Sequence, residues 1–220
     1  MMYYWSLELP VTTVSEMLAI SQKTAIQWYA YFREVCTNQL VAHPVQLGGP
    51  GHIVEIDETN IARRKYHRGR DISPRWIFGG VDRSTKIGFM EIVENDRSAE
   101  KLTPIIQRYI QPGTQINTDC WKAYFKIEDI PVNPKYQHRT VNHSKYFVDP
   151  ITLTHTNSIE SMWSKCKRKF KSMIGVHSTV LQSHLNEFMW RQQFGRTHTE
   201  AFRNIASHFS QYPPLKKNKK

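Results

Sequence analysis

Cysteine is scarce in this sequence, and its three cysteines, Cys36, Cys120 and Cys166, are far apart and form no C-x-x-C pair. This pattern excludes a disulfide-stabilised scaffold and favours a reducing environment inside a cell. Long hydrophobic runs are also missing, since no segment approaches the roughly 18 apolar residues that a membrane-spanning helix needs. Residues 1–8 lack the basic and then apolar pattern of a secretory signal peptide. We therefore expect an intracellular protein, nuclear if its source is eukaryotic and otherwise cytoplasmic, with no membrane partner.

Acidic residues are few relative to basic ones. The 220 residues include 30 Lys and Arg against 19 Asp and Glu, a formal charge of +11 at pH 7. Such an excess attracts polyanions, so we expect a phosphate-rich partner. Hydrophobic residues make up 40% and aromatic residues 12% of the chain. Those fractions exclude a disordered tail or a collagen-like repeat, because both lack core-forming side chains.

Within the N-terminal segment, residues 1–42, the sequence at 11–35 predicts two short helices, with Ser21 as a cap of the second. Their short link resembles a helix-turn-helix, whose second helix would present Lys23 and Gln27 to a DNA groove. An ordinary helical hairpin has the same pattern and is the alternative. Residues 43–51, with two Pro and three Gly, are predicted to be a linker.

Beyond the linker the hydrophobic period changes to that of strands. Three segments alternate apolar and polar residues or are continuously apolar, and are predicted strands: 52–57, 76–81 and 86–93. A helix, a strand and two long helices are predicted after them: 98–110, 114–118, a helix from about 157, and 179–194. This order predicts a mixed α/β sheet flanked by helices. It assigns the sheet domain to residues 52–195 and a C-terminal helix with a basic tail to 196–220.

Three acidic residues stand where this sheet would bind a ligand. Asp57 and Asp119 are predicted to lie at the ends of two strands, and Glu160 lies one turn into the first long helix. Ligands usually bind at the carboxyl ends of strands in α/β sheets. Carboxylate oxygens suit Mg²⁺ or Mn²⁺, and three of them can hold two ions about 3.5–4 Å apart for phosphodiester chemistry.

Each of the three has a structural alternative. Asp57 and Asp119 can simply end strands or begin turns. Asn157 as N-cap with Glu160 three positions later would form a capping box, which satisfies backbone amides without a metal.

Five sequence blocks together carry a resemblance to a known family. They are VEIDET at 54–59, WIFGGVD at 76–82, TDCWKAY at 118–124, VNHS at 141–144 and HTNSIESMW at 155–163. In this order they resemble the Merlin superfamily of DNA transposases and their bacterial insertion-sequence relatives, over roughly residues 50–195. The resemblance implies a ribonuclease-H-like catalytic domain at 52–195 with an acidic triad. Asp57 and Asp119 match its first two members and Glu160 is our choice for the third, with Asn157 as the alternative because some bacterial relatives have Asn there.

The resemblance also implies an activity and its partners. We expect a DDE-type DNA transposase that uses two Mg²⁺ or Mn²⁺ ions, hydrolyses a phosphodiester bond at the ends of its element, and transfers the freed 3′ hydroxyl to target DNA. It would act as a homo-oligomer on double-stranded DNA. Two alternatives are a catalytically inactive, transposase-derived DNA-binding protein and a ribonuclease or resolvase on the same fold.

Basic clusters mark the segments expected to contact DNA. Lys165, Lys167, Arg168 and Lys169 lie in a run without acidic residues, and Lys167 is two helical turns after Glu160. A second patch follows the first strand: Arg63, Arg64, Lys65, His67, Arg68 and Arg70. A third comprises the tail lysines: Lys216, Lys217, Lys219 and Lys220. We expect no zinc site, because His138, His143 and His155 have neither cysteine partners nor regular ligand spacing.

Overall fold

A computed structural model of the chain describes residues 1–61, 75–94, 96–142, 146, 148–173 and 175–211. The chain forms two compact units. The sheet unit is Val45–His177, and the helical unit combines Met1–Pro44 with the C-terminal segment from Ser178. Within the described ranges, no helix has both the length and the apolar character needed to cross a membrane.

Helices form the first 42 residues and strands begin after them, as the change of hydrophobic period predicts. In chain order they are α1 (Met2–Ser6), α2 (Val11–Met17), α3 (Gln22–Ala42), β1 (Leu47–Gly48), β2 (Ile53–Asn60), β3 (Trp76–Asp82), β4 (Gly88–Glu94), α4 (Ala99–Tyr109), β5 (Ile110–Gln111), β6 (Gln115–Asp119), β7 (Gln137–Val141), α5 (Asn157–Ser172), α6 (Ser178–Phe194) and α7 (His198–Ser210). Two 3-10 turns, Lys122–Tyr124 and Ile127–Asp129, lie between β6 and β7.

The sheet unit is built on five strands in the order β4-β3-β2-β6-β7. β2 pairs antiparallel with β3, and β3 with β4, whereas β6 is parallel to both β2 and β7. The expected mixed α/β sheet flanked by helices is thereby confirmed. The strand β7 was not predicted, because its sequence, Gln137 to Val141, is mostly polar and largely exposed at the sheet edge.

Helix α5 lies directly on the sheet because two glycines leave room for it. A Cβ on Gly79 of β3 would come within 2.6 Å of the Trp163 ring, and one on Gly88 of β4 within 2.6 Å of the Met162 sulfur. Trp163 and Met162 belong to the buried face of α5. The glycines therefore bring α5 close to the middle of the sheet, beside β2.

The helical unit has its own aromatic core. Trp5, Phe32 and Trp190 come from α1, α3 and α6, and they are buried together with Ala201 and Ile205 of α7. The predicted division of the chain at 42, 51 and 195 therefore differs from the observed units. Helix α6 lies in the helical unit, because its Trp190 fills a core made with residues from the opposite end of the chain.

The predicted helix-turn-helix segment consists of α2 and α3 in the helical unit. The Ser21 side chain caps α3 by accepting a hydrogen bond from the Thr24 amide at 3.1 Å, as the sequence predicted. Lys23 and Gln27 are exposed and lie one turn apart on α3. Their placement is compatible with both the DNA-reading interpretation and the plain helical hairpin.

Candidate active site

The register of two parallel strands brings Asp57 and Asp119 to the same level of the sheet. β2 and β6 pair as Val54↔Ile116 and Glu55↔Asn117. Continuing this register by two residues places Asp57 beside Asp119. Residues at matching positions of neighbouring strands point to the same face, and such strands lie about 4.8 Å apart. The structure thus brings together two of the three predicted acidic residues.

The expected position of Asp57 at the end of its strand is wrong. β2 continues to Asn60, where it pairs with Trp76 of β3. Asp119, by contrast, is the last residue of β6, as predicted. The difference arises because β2 has partners on both sides, and β3 continues to pair with it beyond the end of its pairing with β6.

The environment of Asp57 disfavours its charged form. Burial raises its pKa to about 7, and the neighbouring charges of Glu58 and Asp119 contribute to the rise. The indole Nε1–H of Trp163 donates a 3.1 Å hydrogen bond to Oδ2 of Asp57 and opposes this rise. Asp119 is held differently, since its Oδ1 accepts a 2.9 Å hydrogen bond from the Trp121 amide.

Glu58 is a further acidic residue of this site that the sequence reasoning did not select. Burial raises its pKa, Asp119 adds to the rise, and the Tyr124 hydroxyl and Arg97 lower it. The Tyr124 hydroxyl interacts with Glu58 electrostatically, but its geometry falls short of a hydrogen bond. Within the described residues, Glu58 Oε1 is buried without a hydrogen-bond partner. Its position directly after Asp57 in VEIDET is the signal that could have identified it.

A cavity of about 530 Å³ opens between β2 and α5. Its wall is formed by Asp57, Glu58, Thr59, Glu160, Trp163, Ser164 and Lys167. Four of these residues belong to α5: Glu160, Trp163, Ser164 and Lys167. The last three lie three, four and seven positions after Glu160, so all four share one face of the helix. Glu160 therefore faces the same space as Asp57, and Asn157 is not part of that wall.

The start of α5 differs from the predicted capping box. The helix begins at Asn157 itself, with Thr156 as N-cap and no side-chain hydrogen bond to a backbone amide from that cap. Glu160 instead has its Oε1 3.3 Å from the Thr156 hydroxyl, which donates to it. The interpretation of Asn157 as the N-cap is wrong, because the helix starts one residue earlier than that arrangement requires.

The donor chemistry of the site fits a hard divalent cation. Asp57 and Asp119 repel each other electrostatically, and Glu58 adds a buried oxygen without a partner among the described residues. A cation would relieve both penalties. Among the described residues, however, no three His, Cys, Asp or Glu side chains are close enough together to hold one ion. Asp57 and Glu160 share a cavity, and Asp57 and Asp119 share a register, but the three do not form a closed ligand cage.

A second buried carboxylate, Glu55, ties α5 to β2. Glu55 is fully buried, and its Oε2 accepts hydrogen bonds from the amides of Ser158 and Ile159 at 2.7 and 2.9 Å. These amides belong to the first turn of α5, where backbone donors lack partners within the helix. The guanidinium of Arg83 donates to Glu55 Oε1 at 2.5 Å and to the His155 carbonyl at 2.7 Å. Helix α5, which carries Glu160, is thus bound to β2 at Glu55, two residues before Asp57.

This anchor makes Glu55→Gln a destabilising substitution. The amide side chain removes the negative charge that faces Arg83 and the helix N-terminus, and loss of a buried ion-pair partner costs about 3–5 kcal/mol. Urea unfolding measures the loss. The control is Glu91→Gln, which breaks the exposed Arg108–Glu91 pair and should cost less than about 1 kcal/mol. Equal losses in the two proteins would refute the anchoring role.

The basic residues expected to contact DNA are distributed over both units. On α5, Lys165, Lys167 and Arg168 are exposed and Lys169 is half-buried. Only Lys167 among them belongs to the cavity wall. The patch of Arg63, Arg64, Lys65 and Arg68, the tail lysines and His143 lie outside the described residues.

Comparison with known proteins identifies one family. The ISXO2-like transposase domain matches residues 46–193. No curated protein matches the chain.

Three solved structures show likeness at low identity. The catalytic core domain of HTLV-2 integrase in complex with magnesium, in its trimeric form, is 15% identical, with a TM-score of 0.41 over 64% of this chain and 84% of that chain. A simian T-cell lymphotropic virus intasome in complex with PP2A regulatory subunit B56 gamma is 17% identical, with a TM-score of 0.43 over 78% of this chain and 60% of that chain. The Mos1 strand transfer complex is 9% identical, with a TM-score of 0.27 over 92% of this chain and 73% of that chain.

Proposed function

The chain belongs to the ISXO2-like transposase domain family, and on this premise we propose that it is a DDE-type DNA transposase. It hydrolyses phosphodiester bonds at the ends of a mobile element and transfers the freed strand to target DNA. The observation that carries this proposal is the cavity that Asp57, Glu160 and Lys167 line together, with Asp119 close enough on the neighbouring strand β6 for its charge to act on Asp57. Acidic and basic groups around one opening suit a reaction on a phosphodiester.

Asp57, Asp119 and Glu160 would hold the two Mg²⁺ or Mn²⁺ ions. When bound, such ions promote deprotonation of an attacking oxygen and stabilise the leaving one. The protein orients the ligands. The Trp163 indole donates a hydrogen bond to one oxygen of Asp57 and the Trp121 amide donates one to an oxygen of Asp119, so both carboxylates are oriented by tryptophan residues. Glu160 faces the same cavity from α5, and we prefer it to Asn157 for that reason.

The cations on α5 would bind the DNA backbone. Lys167 lies in the cavity wall with Glu160, so it is placed to hold a phosphate next to the reacting one. Lys165, Arg168 and Lys169 extend this positive surface along α5. Lys23 and Gln27 would contact DNA from the helical unit, and a homo-oligomer would bind both element ends.

Combined replacement of Lys165, Lys167, Arg168 and Lys169 by Ala tests the DNA surface. We expect weaker binding to every duplex sequence and a log–log salt dependence that flattens by roughly 0.9 for each phosphate that the variant no longer neutralises. Fluorescence anisotropy over a series of salt concentrations measures both quantities. The control replaces the exposed Lys101 and Lys135 by Ala and should keep the wild-type slope. An unchanged slope in the quadruple variant would show that α5 does not bind the backbone.

Metal-dependent nicking tests the proposed function. Labelled duplexes are taken from the DNA on each side of the coding region and incubated with the full chain in Mg²⁺, Mn²⁺ or EDTA. Nicking at a defined position, with either ion and not with EDTA or scrambled duplexes, supports a transposase. Tight binding without nicking in any ion would favour the inactive DNA-binding protein. Preferential cleavage of an RNA–DNA hybrid or a four-way junction would favour the ribonuclease or the resolvase.

A further inference from the structure

A cation held between two indole rings lies on the margin of the candidate active site. The Arg97 guanidinium carbon is 3.7 Å from the ring centre of Trp76 and 5.0 Å from that of Trp121. Both distances are within the range of a cation–π interaction. Trp76 begins β3, Arg97 lies between β4 and α4, and Trp121 follows β6. Three separate segments therefore build this Trp76–Arg97–Trp121 stack.

The stack is linked to the acidic residues on both sides. The Trp121 backbone amide donates to Asp119, so the backbone that carries this indole is tied to a proposed metal ligand. The charge of Arg97 lowers the pKa of Glu58, which lines the cavity. The stack therefore lies next to Asp119 and Glu58.

The stack exposes aromatic surface next to positive charge. Trp121 remains 37% exposed although Arg97 lies against its ring, and Phe125, four residues later, is 64% exposed. Lys122 and Lys126 are exposed in the same short segment. Aromatic rings alternating with cations are the combination that binds unpaired nucleotides, because bases stack on the rings while cations neutralise phosphates.

We propose that Trp121, supported by Arg97, is a stacking site for an unpaired nucleobase adjacent to the cleaved phosphodiester. The occupant is a nucleotide of a frayed or single-stranded DNA end. This inference rests on the proposed transposase function, since it assumes that DNA enters the cavity. It adds a specificity for unpaired over fully paired ends that the carboxylates alone do not provide.

The geometry explains why Trp121 serves this role better than an isolated surface ring. The hydrogen bond to Asp119 restrains the Trp121 backbone and Arg97 packs against its ring, so little side-chain freedom is lost when a base binds. Stacking requires no particular base, because every base has an aromatic face. The site therefore distinguishes unpaired from paired DNA and not one sequence from another.

The test measures binding in EDTA, where cleavage plays no part. The probes are a blunt duplex of about 20 base pairs and the same duplex with a short single-stranded tail that contains 2-aminopurine. We expect the wild-type chain to bind the tailed duplex about tenfold more tightly and to quench 2-aminopurine fluorescence by stacking. Trp121→Ala should lose both the preference and the quenching, and Trp121→Phe should retain part of each. The control Phe202→Ala, which removes an exposed aromatic ring of the helical unit, should retain both.

Two results would overturn the stacking site. One is wild-type protein that binds both DNAs equally without quenching, a result that needs no variant to fold. The other is a folded Trp121→Ala protein that keeps the tail preference, or whose affinity for both DNAs falls equally, as a purely structural role of the stack would require. Failure of the transposase proposal is separate, because it would show as absent nicking in Mg²⁺ and Mn²⁺ whatever the result in EDTA.

Discussion

Asp119→Ala is expected to lower metal-dependent DNA cleavage by at least about 10³-fold, while DNA affinity stays equal to that of the wild type or rises. The loss follows because Asp119 is a proposed ligand of ions that supply several kcal/mol of charge stabilisation in the transition state. Affinity does not fall, because the substitution removes a negative charge that faces the phosphates. Single-turnover cleavage and anisotropy in EDTA measure the two effects separately.

Two further variants separate impaired chemistry from misfolding. Asp119→Asn keeps an oxygen that can accept the hydrogen bond from the Trp121 amide, so it should fold normally and still fail to cleave. Asp129→Ala removes an exposed aspartate from a 3-10 turn and should cleave at the wild-type rate. Normal cleavage by Asp119→Ala would remove Asp119 from the catalytic set.

The second large effect is a gain in stability from Asp57→Asn without metal. Burial and the charges of Glu58 and Asp119 raise the pKa of Asp57 from 3.8 to about 7. A raised carboxyl pKa means that ionisation destabilises the folded state. This penalty is absent below about pH 4, grows as the pH rises, and is complete above about pH 7. At 1.36 kcal/mol per unit it reaches roughly 4 kcal/mol at most. Asn keeps an acceptor for Trp163 but carries no charge.

Urea unfolding in EDTA between about pH 4 and pH 8.5 measures this gain. The advantage of Asp57→Asn over the wild type should increase up to about pH 7 and then stay constant. The control Asp96→Asn should differ from the wild type by a nearly constant amount over this range, because hydrogen bonds from Ser98 lower the pKa of Asp96, so its contribution to stability changes only below about pH 4. An advantage of Asp57→Asn that does not change with pH would contradict the raised pKa. Added Mg²⁺ should favour the wild type, because a bound cation replaces the proton.

Local sequence patterns predicted most of the sheet unit correctly. The helix predicted at 98–110 is α4, where the Ser98 hydroxyl accepts a hydrogen bond from the Lys101 amide and Leu102, Ile105 and Ile106 are buried. The strands β3 and β4 were likewise predicted from their apolar runs. β7 was missed because an exposed edge strand has no apolar period to detect.

For the acidic residues, the sequence predicted which ones belong to the site but not how close together they lie. Asp57 and Asp119 were selected as carboxylates near strand ends, a local property of each segment. Their adjacency depends on the β2–β6 register, which is set by burial of residues such as Val54 and Ile116 and not by the acidic residues themselves. Glu55 was overlooked because an acidic residue in the middle of a strand resembles any exposed position until its partners from α5 and Arg83 are known.

The sequence by itself determined the charge of the protein, its change from helical to strand period, and its family membership, because these depend on composition and on neighbouring residues. Only the tertiary structure decided the rest. It showed that α6 completes the N-terminal core, that Gly79 makes room for the Trp163 ring that holds Asp57, and that Arg97 lies between Trp76 and Trp121. Each of these contacts joins residues far apart in the chain. Their geometry follows from how buried surfaces pack, which no local pattern encodes.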